Sequence, residues 1–134
     1  MREFKFRVWD IEDNEMFYNK DICFISPYDN LVRIENDEYN FMGSYAKYGS
    51  NLILMQYTGF KDIKGQEIYE GDILAHQDYW WIRIEYDSGS FMVRDVDKVR
   101  YNNKICNIPI GDFDISKWRV IGNIFENKEL FLNI

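Results

Sequence analysis

Residues 52–74 read LILMQYTGFKDIKGQEIYEGDIL, and no other stretch of the chain carries as much local information about the fold. The first four residues are apolar without alternation, which indicates a strand covered on both faces. Gly59 and Gly65 supply positions where a chain reversal needs a positive φ, and Gly71 with Asp72 forms a turn signal before the next apolar run. The stretch therefore predicts a strand, a turn, a short strand, a tight turn and a further strand.

Two β-hairpins are predicted on either side of this stretch. In residues 4–18, apolar and charged residues alternate around an acidic turn, and Phe4, Phe6 and Val8 are expected to point inward. Residues 78–94 give the clearest alternating strand of the chain, followed by a turn containing glycine and a returning apolar run. Both segments have the two-residue period of strands with one buried face.

The remaining segments are shorter or less regular. Short strands are predicted over residues 21–27 and 31–34, a final strand over 116–125, and one helical turn over 126–131. Residues 35–50 follow neither the strand nor the helix period, so they are expected to form an irregular connection. Residues 95–114 read mainly as loops.

Together these patterns predict an all-β protein with little helix. Several short strands with frequent turn signals favour an all-β barrel or sandwich-like roll, on which an N-terminal β-hairpin unit packs. A pair such as Gly71-Asp72 before a strand is common at the corners of small SH3-like barrels. The chain is expected to form a single domain over residues 1–134, with a subdivision into the hairpin unit and connection (1–50) and the barrel (51–134).

Composition limits the partners of this protein. Its 134 residues are 46% hydrophobic and 18% aromatic, which predicts a folded chain, and its net charge of −7 opposes binding to a phosphate backbone. The basic residues that could form a local patch are interleaved with acidic ones, which is typical of solvated surface. They are Lys5 with Arg7, Lys61 with Lys64, and the group Arg94, Lys98, Arg100 and Lys104.

The cysteines and the hydropathy pattern bear on the cellular compartment. Cys23 and Cys106 lie far apart beside apolar residues, which suggests buried thiols, although their spacing alone does not exclude a disulfide. The chain shows no signal-peptide core and no apolar run of the ~18 residues that a membrane span requires. The expectation is a soluble, cytoplasmic protein with no membrane partner.

The residues that could perform catalysis are few. His76 is the only histidine, and neither cysteine nor histidine has the spacing of a zinc site. Glu67, Glu70 and Asp72 could form an acid–base pair or a magnesium site, but Asp72 is better interpreted as a cap of its own turn and the glutamates as solvated. The sequence thus predicts no catalytic residue, no cofactor and no metal, and the protein is expected not to be an enzyme.

Aromatic residues provide the candidate binding site. Tyr79, Trp80 and Trp81 are consecutive, so at least one of their side chains must face outward from a strand, with Arg83 close by. Exposed aromatic rings beside a barrel groove dock proline-rich peptides or stack nucleobases. The alternative is that one ring belongs to the core and another packs under a loop or against a partner subunit.

Four separated blocks resemble one protein family: residues 1–10, 54–62, 67–73 and 120–127. Their sequences are MREFKFRVWD, LMQYTGFKD, EIYEGDI and VIGNIFEN, and they are similar to the YopX-like proteins of bacteriophages and prophages of low-GC Gram-positive bacteria. The resemblance implies a mostly β fold with an SH3-like barrel or roll, a phage or prophage origin and expression inside a bacterium. It implies no activity and no catalytic residues.

The sequence leads to two functional hypotheses. The first is a non-enzymatic phage or prophage accessory protein that binds a host or phage protein and also forms a homo-oligomer. The second is a nucleic-acid-binding module in which Trp80 or Trp81 acts with a local basic patch. The cations of that patch would be Arg83, Arg94, Lys98 and Arg100.

Overall fold

The computed structural model describes residues 3–26, 31–34, 44–47, 52–77, 80–96 and 107–132. Within these residues the protein is mainly β, as predicted, and its single-turn helices and one short α-helix add little helical structure. The single-turn helices are Asn19–Asp21, Ile110–Asp112 and Ile115–Lys117, and the α-helix α1 is Lys128–Leu132. The strands are β1 (Phe6–Asp10), β2 (Glu15–Tyr18), β3 (Ile22–Ser26), β4 (Leu31–Ile34), β5 (Ser44–Lys47), β6 (Leu52–Lys61), β7 (Glu67–Tyr69), β8 (Asp72–His76), β9 (Trp80–Asp87), β10 (Ser90–Asp95), β11 (Asn107–Pro109) and β12 (Arg119–Asn123).

The chain divides into two compact units. The N-terminal unit comprises Glu3–Gln56, and the C-terminal unit begins at Tyr57. The division falls inside strand β6. The loss of apolar periodicity in the sequence had predicted it earlier in the chain, at residue 50. The subdivision at residue 50 stays a prediction.

The N-terminal unit contains the predicted hairpin. Strand β1 pairs antiparallel with β2 and, on its other side, with the first half of β6. Strand β4 lies between β3 and β5. Residues from both groups of strands share one apolar core, because their inward side chains are fully or almost fully buried. This core consists of Val8, Phe17, Val32, Ile34 and Leu52.

Two expectations for this unit are wrong. Phe4 was expected to point inward but is 63% exposed, because β1 begins only at Phe6 and Phe4 precedes the strand. Residues 44–47 were expected to belong to an irregular connection but form β5, which pairs with β4. A strand this short gains its order from the ladder with its neighbour, which a local sequence pattern does not show.

The C-terminal unit is built on a five-stranded antiparallel sheet with the order β11-β10-β9-β8-β12. The predicted hairpin of residues 78–94 is confirmed as β9 and β10, and its two turn residues, Ser88 and Gly89, have φ values of 54° and 85°. Positive φ at both positions matches the twist of two-residue hairpins. The inward residues of the sheet pack with β7 and the segment before β12 into one core, namely Ile68, Leu74, Ile82, Ile84, Val93, Ile110, Ile115 and Trp118.

The turn between β6 and β7 closes the curled sheet against β12. The Ile63 N–H donates to the Trp118 carbonyl at 2.9 Å, and the Val120 N–H donates to the Asp62 carboxylate at 2.9 Å. These bonds satisfy backbone groups along the edge of β12, which the sheet itself leaves unpaired. The predicted SH3-like roll is thereby confirmed as a mainly β, barrel-like arrangement.

Gly59 does not form the turn that the sequence predicts. Strand β6 continues through Gly59 to Lys61, and the register between β6 and β7 shifts between Tyr57 and Lys61. Gly59 has a φ of 89°, as the extra residue of a β-bulge often does, and the Thr58 hydroxyl donates to the Ile68 carbonyl at 2.7 Å beside it. The chain reverses later, in the turn that contains Gly65.

Candidate functional site

The C-terminal unit contains an open groove of about 470 Å³. One side comes from the turn between β8 and β9, and the other comes from the segment that precedes β12. Its aromatic lining consists of His76, Trp80, Phe113 and Trp118, and its polar lining of Gln77, Asp114 and Lys117. This volume lies in the usual range of ligand pockets, about 300–1,000 Å³.

The floor of the groove is held in place by the core. Trp118 is 8% exposed and belongs to the apolar core of the unit, against which Phe113 also packs. The ring centroid of Trp118 lies 5.2 Å from that of His76 and 5.4 Å from that of Phe113, and both pairs are tilted. Such spacings are favourable for aromatic pairs. The floor is therefore preorganised.

Trp80 stands at the edge of this groove. It opens β9, where it pairs with His76 of β8, and 52% of its surface is exposed. Trp80 has the same strand parity as the core residues Ile82 and Ile84, but it lies at the end of the strand, where the packed core ends. The indole thus extends the aromatic floor into solvent.

The rim carries one charged pair. The Ser116 hydroxyl donates to Asp114 Oδ1 at 2.6 Å, and Lys117 Nζ lies 3.6 Å from Asp114 Oδ2. The hydrogen bond from Ser116 lowers the pKa of Asp114, and the charge of Lys117 lowers it further. The carboxylate is therefore ionised at neutral pH. Both members of the ion pair are well exposed, so their attraction contributes little to stability.

The groove also includes a residue in a strained conformation. Gln77 follows β8 with a φ of 55°, in the left-handed region that non-glycine residues seldom occupy. This conformation allows the chain to turn between His76 and Trp80, which are both groove residues. Residues in such sparsely populated conformations cluster at functional sites.

The predicted site residues do not all come together. Trp80 lines the groove, Trp81 is half-buried, and Tyr79 lies outside the described residues. Arg83 is not among the groove residues, and its Nε lies 2.6 Å from Glu85 Oε1. Among the described members of the proposed group, Trp80 is the one that lines the groove.

A network of ion pairs surrounds Arg83 on the sheet. Arg94 lies opposite Arg83 in the ladder between β9 and β10, and it contacts Glu85 at 2.6 Å and Asp87 at 2.7 Å. The hydrogen bond from Arg94 is the largest cause that lowers the pKa of Asp87, and Ser88 adds to it. Carboxylates already neutralise these two cations. Lys98 and Arg100 lie outside the described residues.

Four of the seven described residues that line the groove come from a segment in which the sequence predicted no site. Phe113, Asp114, Lys117 and Trp118 fall in a segment that was read as loop and strand end. The available signal was the run FDISKW, in which two aromatic residues bracket polar ones and a buried isoleucine, Ile115. No period identifies such a run, because single-turn helices and bends separate its aromatic residues.

Two carboxylates near the central turns, those of Asp72 and Asp62, accept hydrogen bonds from the backbone. Asp72 is 1% exposed and accepts the Tyr69 N–H at 2.8 Å, which confirms that it caps its own turn. Asp62 is also buried and accepts three backbone N–H groups.

The side chain of Cys23 and all of Cys106 lie outside the part that the structure describes, so the expectation of buried thiols is untested.

Two kinds of feature are absent from the described residues. These residues contain no group of three His, Cys, Asp or Glu side chains placed to hold a metal ion. They also contain no helix of the length and apolar character needed to cross a membrane.

Fold and groove together define a mainly β protein with an aromatic groove on a curled antiparallel sheet. The family model described as YopX protein matches residues 5–132, which is nearly the whole chain. The chain therefore belongs to the YopX family. None of the curated proteins matches it.

Two solved structures are similar over almost their full length. The crystal structure of protein EF1440 from Enterococcus faecalis has 26% identity and a TM-score of 0.66, and the match covers 98% of this chain and 99% of that one. The crystal structure of protein yopX from Bacillus subtilis has 21% identity and a TM-score of 0.61, with 98% and 97% covered. The latter likeness concerns the fold alone.

Proposed function

We propose that this chain is a non-enzymatic phage or prophage accessory protein that binds a host or phage protein through the aromatic groove. The observation that carries the proposal is the half-exposed Trp80 beside a floor made by Trp118, Phe113 and His76. Tryptophan is enriched among the residues that dominate protein interfaces, because it buries a large area and loses little conformational entropy. A preorganised floor reduces the entropic cost of binding further.

The charges near the groove favour a protein partner over nucleic acid. Binding to a nucleic acid draws much of its free energy from lysine and arginine side chains that release counterions. Here the described cations of the basic patch, Arg83 and Arg94, contact Glu85 and Asp87. The net charge of −7 adds a general repulsion of phosphate.

The groove chemistry also favours binding over catalysis. His76 is the residue best suited to general acid–base chemistry, and its ring packs against Trp118. The described residues that line the groove include no serine, threonine or cysteine that could act as a nucleophile beside it. The lining thus offers ring surfaces for contact.

The test is affinity capture from lysate of a bacterium that carries the corresponding phage or prophage. Three baits are used: the wild-type chain, Trp80→Ala and Tyr86→Ala. Tyr86 is a matched control because it is an aromatic residue of the same strand, is 54% exposed and lies outside the groove lining. All baits are compared with and without nuclease.

We expect at least one protein to be retained by the wild type and Tyr86→Ala but lost with Trp80→Ala, and to resist nuclease. Identical protein sets from all three baits would contradict the proposal. So would retention that depends on Trp80 but disappears with nuclease, because that result would support the nucleic-acid alternative. Light scattering of the same variants tests the proposed homo-oligomer.

A further inference from the structure

We propose that the groove takes an extended, proline-containing peptide segment that carries a basic residue beside the proline. This inference rests on the proposed function and specifies the part of the partner that enters the groove. It follows from three properties of the groove: the backbone around it, the rings that line it and the charge at its rim.

The backbone around the groove favours recognition by side chains. The lining comes from the β8–β9 turn and from a segment of bends and a single-turn helix, Ile115–Lys117. Among the described lining residues, His76 and Trp80 pair with each other across β8 and β9, and Lys117 belongs to a single-turn helix, so they do not form a strand edge to which a peptide could add. A polyproline II segment has no internal hydrogen bonds and does not need such an edge, so it suits a groove of side chains.

The rings select proline among apolar residues. Phe113, Trp118 and the exposed Trp80 bring aromatic rings to one short groove. Proline-rich segments dock in aromatic-lined grooves, and their φ is already fixed, so they lose little conformational entropy on binding. A long amphipathic helix would need a longer groove with anchors at helical spacing, which a volume of about 470 Å³ does not provide.

The rim selects a basic neighbour. Asp114 is ionised, and Ser116 fixes one of its oxygens at 2.6 Å. Its cation, Lys117, is 3.6 Å away and the pair is exposed, so a lysine or arginine from a ligand is able to replace or share that contact. The net charge of −7 on the whole chain also favours a positively charged ligand.

The test is selection of a displayed library of random 12-residue peptides on the full chain, followed by affinity measurement with individual synthetic peptides. We expect enriched peptides to contain proline next to lysine or arginine. Their affinity should fall about tenfold or more with Trp80→Ala, and stay within about twofold with Tyr86→Ala. Replacing the peptide proline with alanine should weaken binding to a similar extent.

The basic residue is tested by a double-mutant cycle between Asp114→Asn and replacement of the peptide lysine by alanine. Strong non-additivity supports the contact with Asp114, whereas additive effects overturn that part of the proposal. Selected peptides that depend on Trp80 but lack proline would overturn the inference and leave the groove as a protein-binding site. If no selected peptide depends on Trp80, the inference also fails, and the capture experiment then decides separately whether the proposed function survives.

Discussion

The Asp62 carboxylate accepts the backbone N–H of Val120 at 2.9 Å, across 58 residues of sequence. Its other oxygen accepts the N–H groups of Lys64 and Gln66, each at 2.8 Å. One buried side chain thus shapes the β6–β7 turn and joins it to β12. Since β12 begins directly after Trp118, the same contact supports the floor of the groove.

Replacing Asp62 with alanine should strongly destabilise the protein. The change leaves three partly buried backbone N–H groups without this acceptor, so we expect a loss of about 2–4 kcal/mol in the free energy of unfolding. Urea denaturation followed by tryptophan fluorescence measures it. Asp112→Ala, at an exposed aspartate, is the control and should change stability by less than about 0.5 kcal/mol. Equal effects of the two changes would contradict the role of Asp62.

Gly122→Ala should disrupt the junction between β12 and α1. An added Cβ would lie 2.5 Å from Asn127 Oδ1 and 2.9 Å from Leu130 Cδ1. The same Asn127 oxygen accepts the Asn123 N–H at 3.1 Å, so the side chain cannot move away without loss of that bond. We expect a destabilisation of about 1–3 kcal/mol, measured as a lower thermal midpoint.

Gly111→Ala is the matched control for Gly122→Ala. A Cβ at Gly111 meets nothing within 4 Å, and its φ lies outside the left-handed region. Its thermal midpoint should stay close to that of the wild type. A similar fall in both variants would show that the crowding at Gly122 is not the cause.

The ion pair between Arg94 and Asp87 predicts a change in titration. Because Arg94 lowers the pKa of Asp87 below the ordinary value of 3.8, the pair stabilises the folded state fully above that pH. The contribution is lost as the pH falls through the pKa of the folded state. In Arg94→Met the pKa of Asp87 should rise towards its ordinary value, as measured by NMR titration of the carboxyl carbon. An unchanged pKa would mean that the pair is not formed in solution.

The strained turn of the groove predicts a difference between two substitutions at Gln77. Valine is β-branched and is poorly tolerated at a φ of 55°, so Gln77→Val should cost about 1–2 kcal/mol. Glycine adopts this conformation readily but increases the entropy of the unfolded chain, and the two effects should nearly cancel in Gln77→Gly. Chemical denaturation of both variants checks the order. Equal stability of the two variants would argue against the left-handed conformation.

The fold was predictable from the sequence where local patterns determine it. The alternation around Ile82 and Ile84 and the Ser88-Gly89 turn indicated the β9–β10 hairpin, because period and turn chemistry are local properties. Gly59 was misread because a glycine with positive φ serves both bulges and turns, and only the partner strand distinguishes them.

The groove was less predictable than the fold. Trp80 was found because three consecutive aromatic residues cannot all face the core. Its counterparts, Phe113 and Trp118, come from a distant segment that the contacts of Ile63 and Val120 bring into place. Such long-range contacts have no signature in a short window of sequence.

Strand β6 has a consequence for how this family varies. Its ten residues run without interruption through the point where the two units meet along the chain, between Gln56 and Tyr57. Each half of β6 pairs within its own unit, because residues 52–56 pair with β1 and residues 57–61 with β7. Recombination between relatives at that point would therefore keep each of the two strand pairings within one parent.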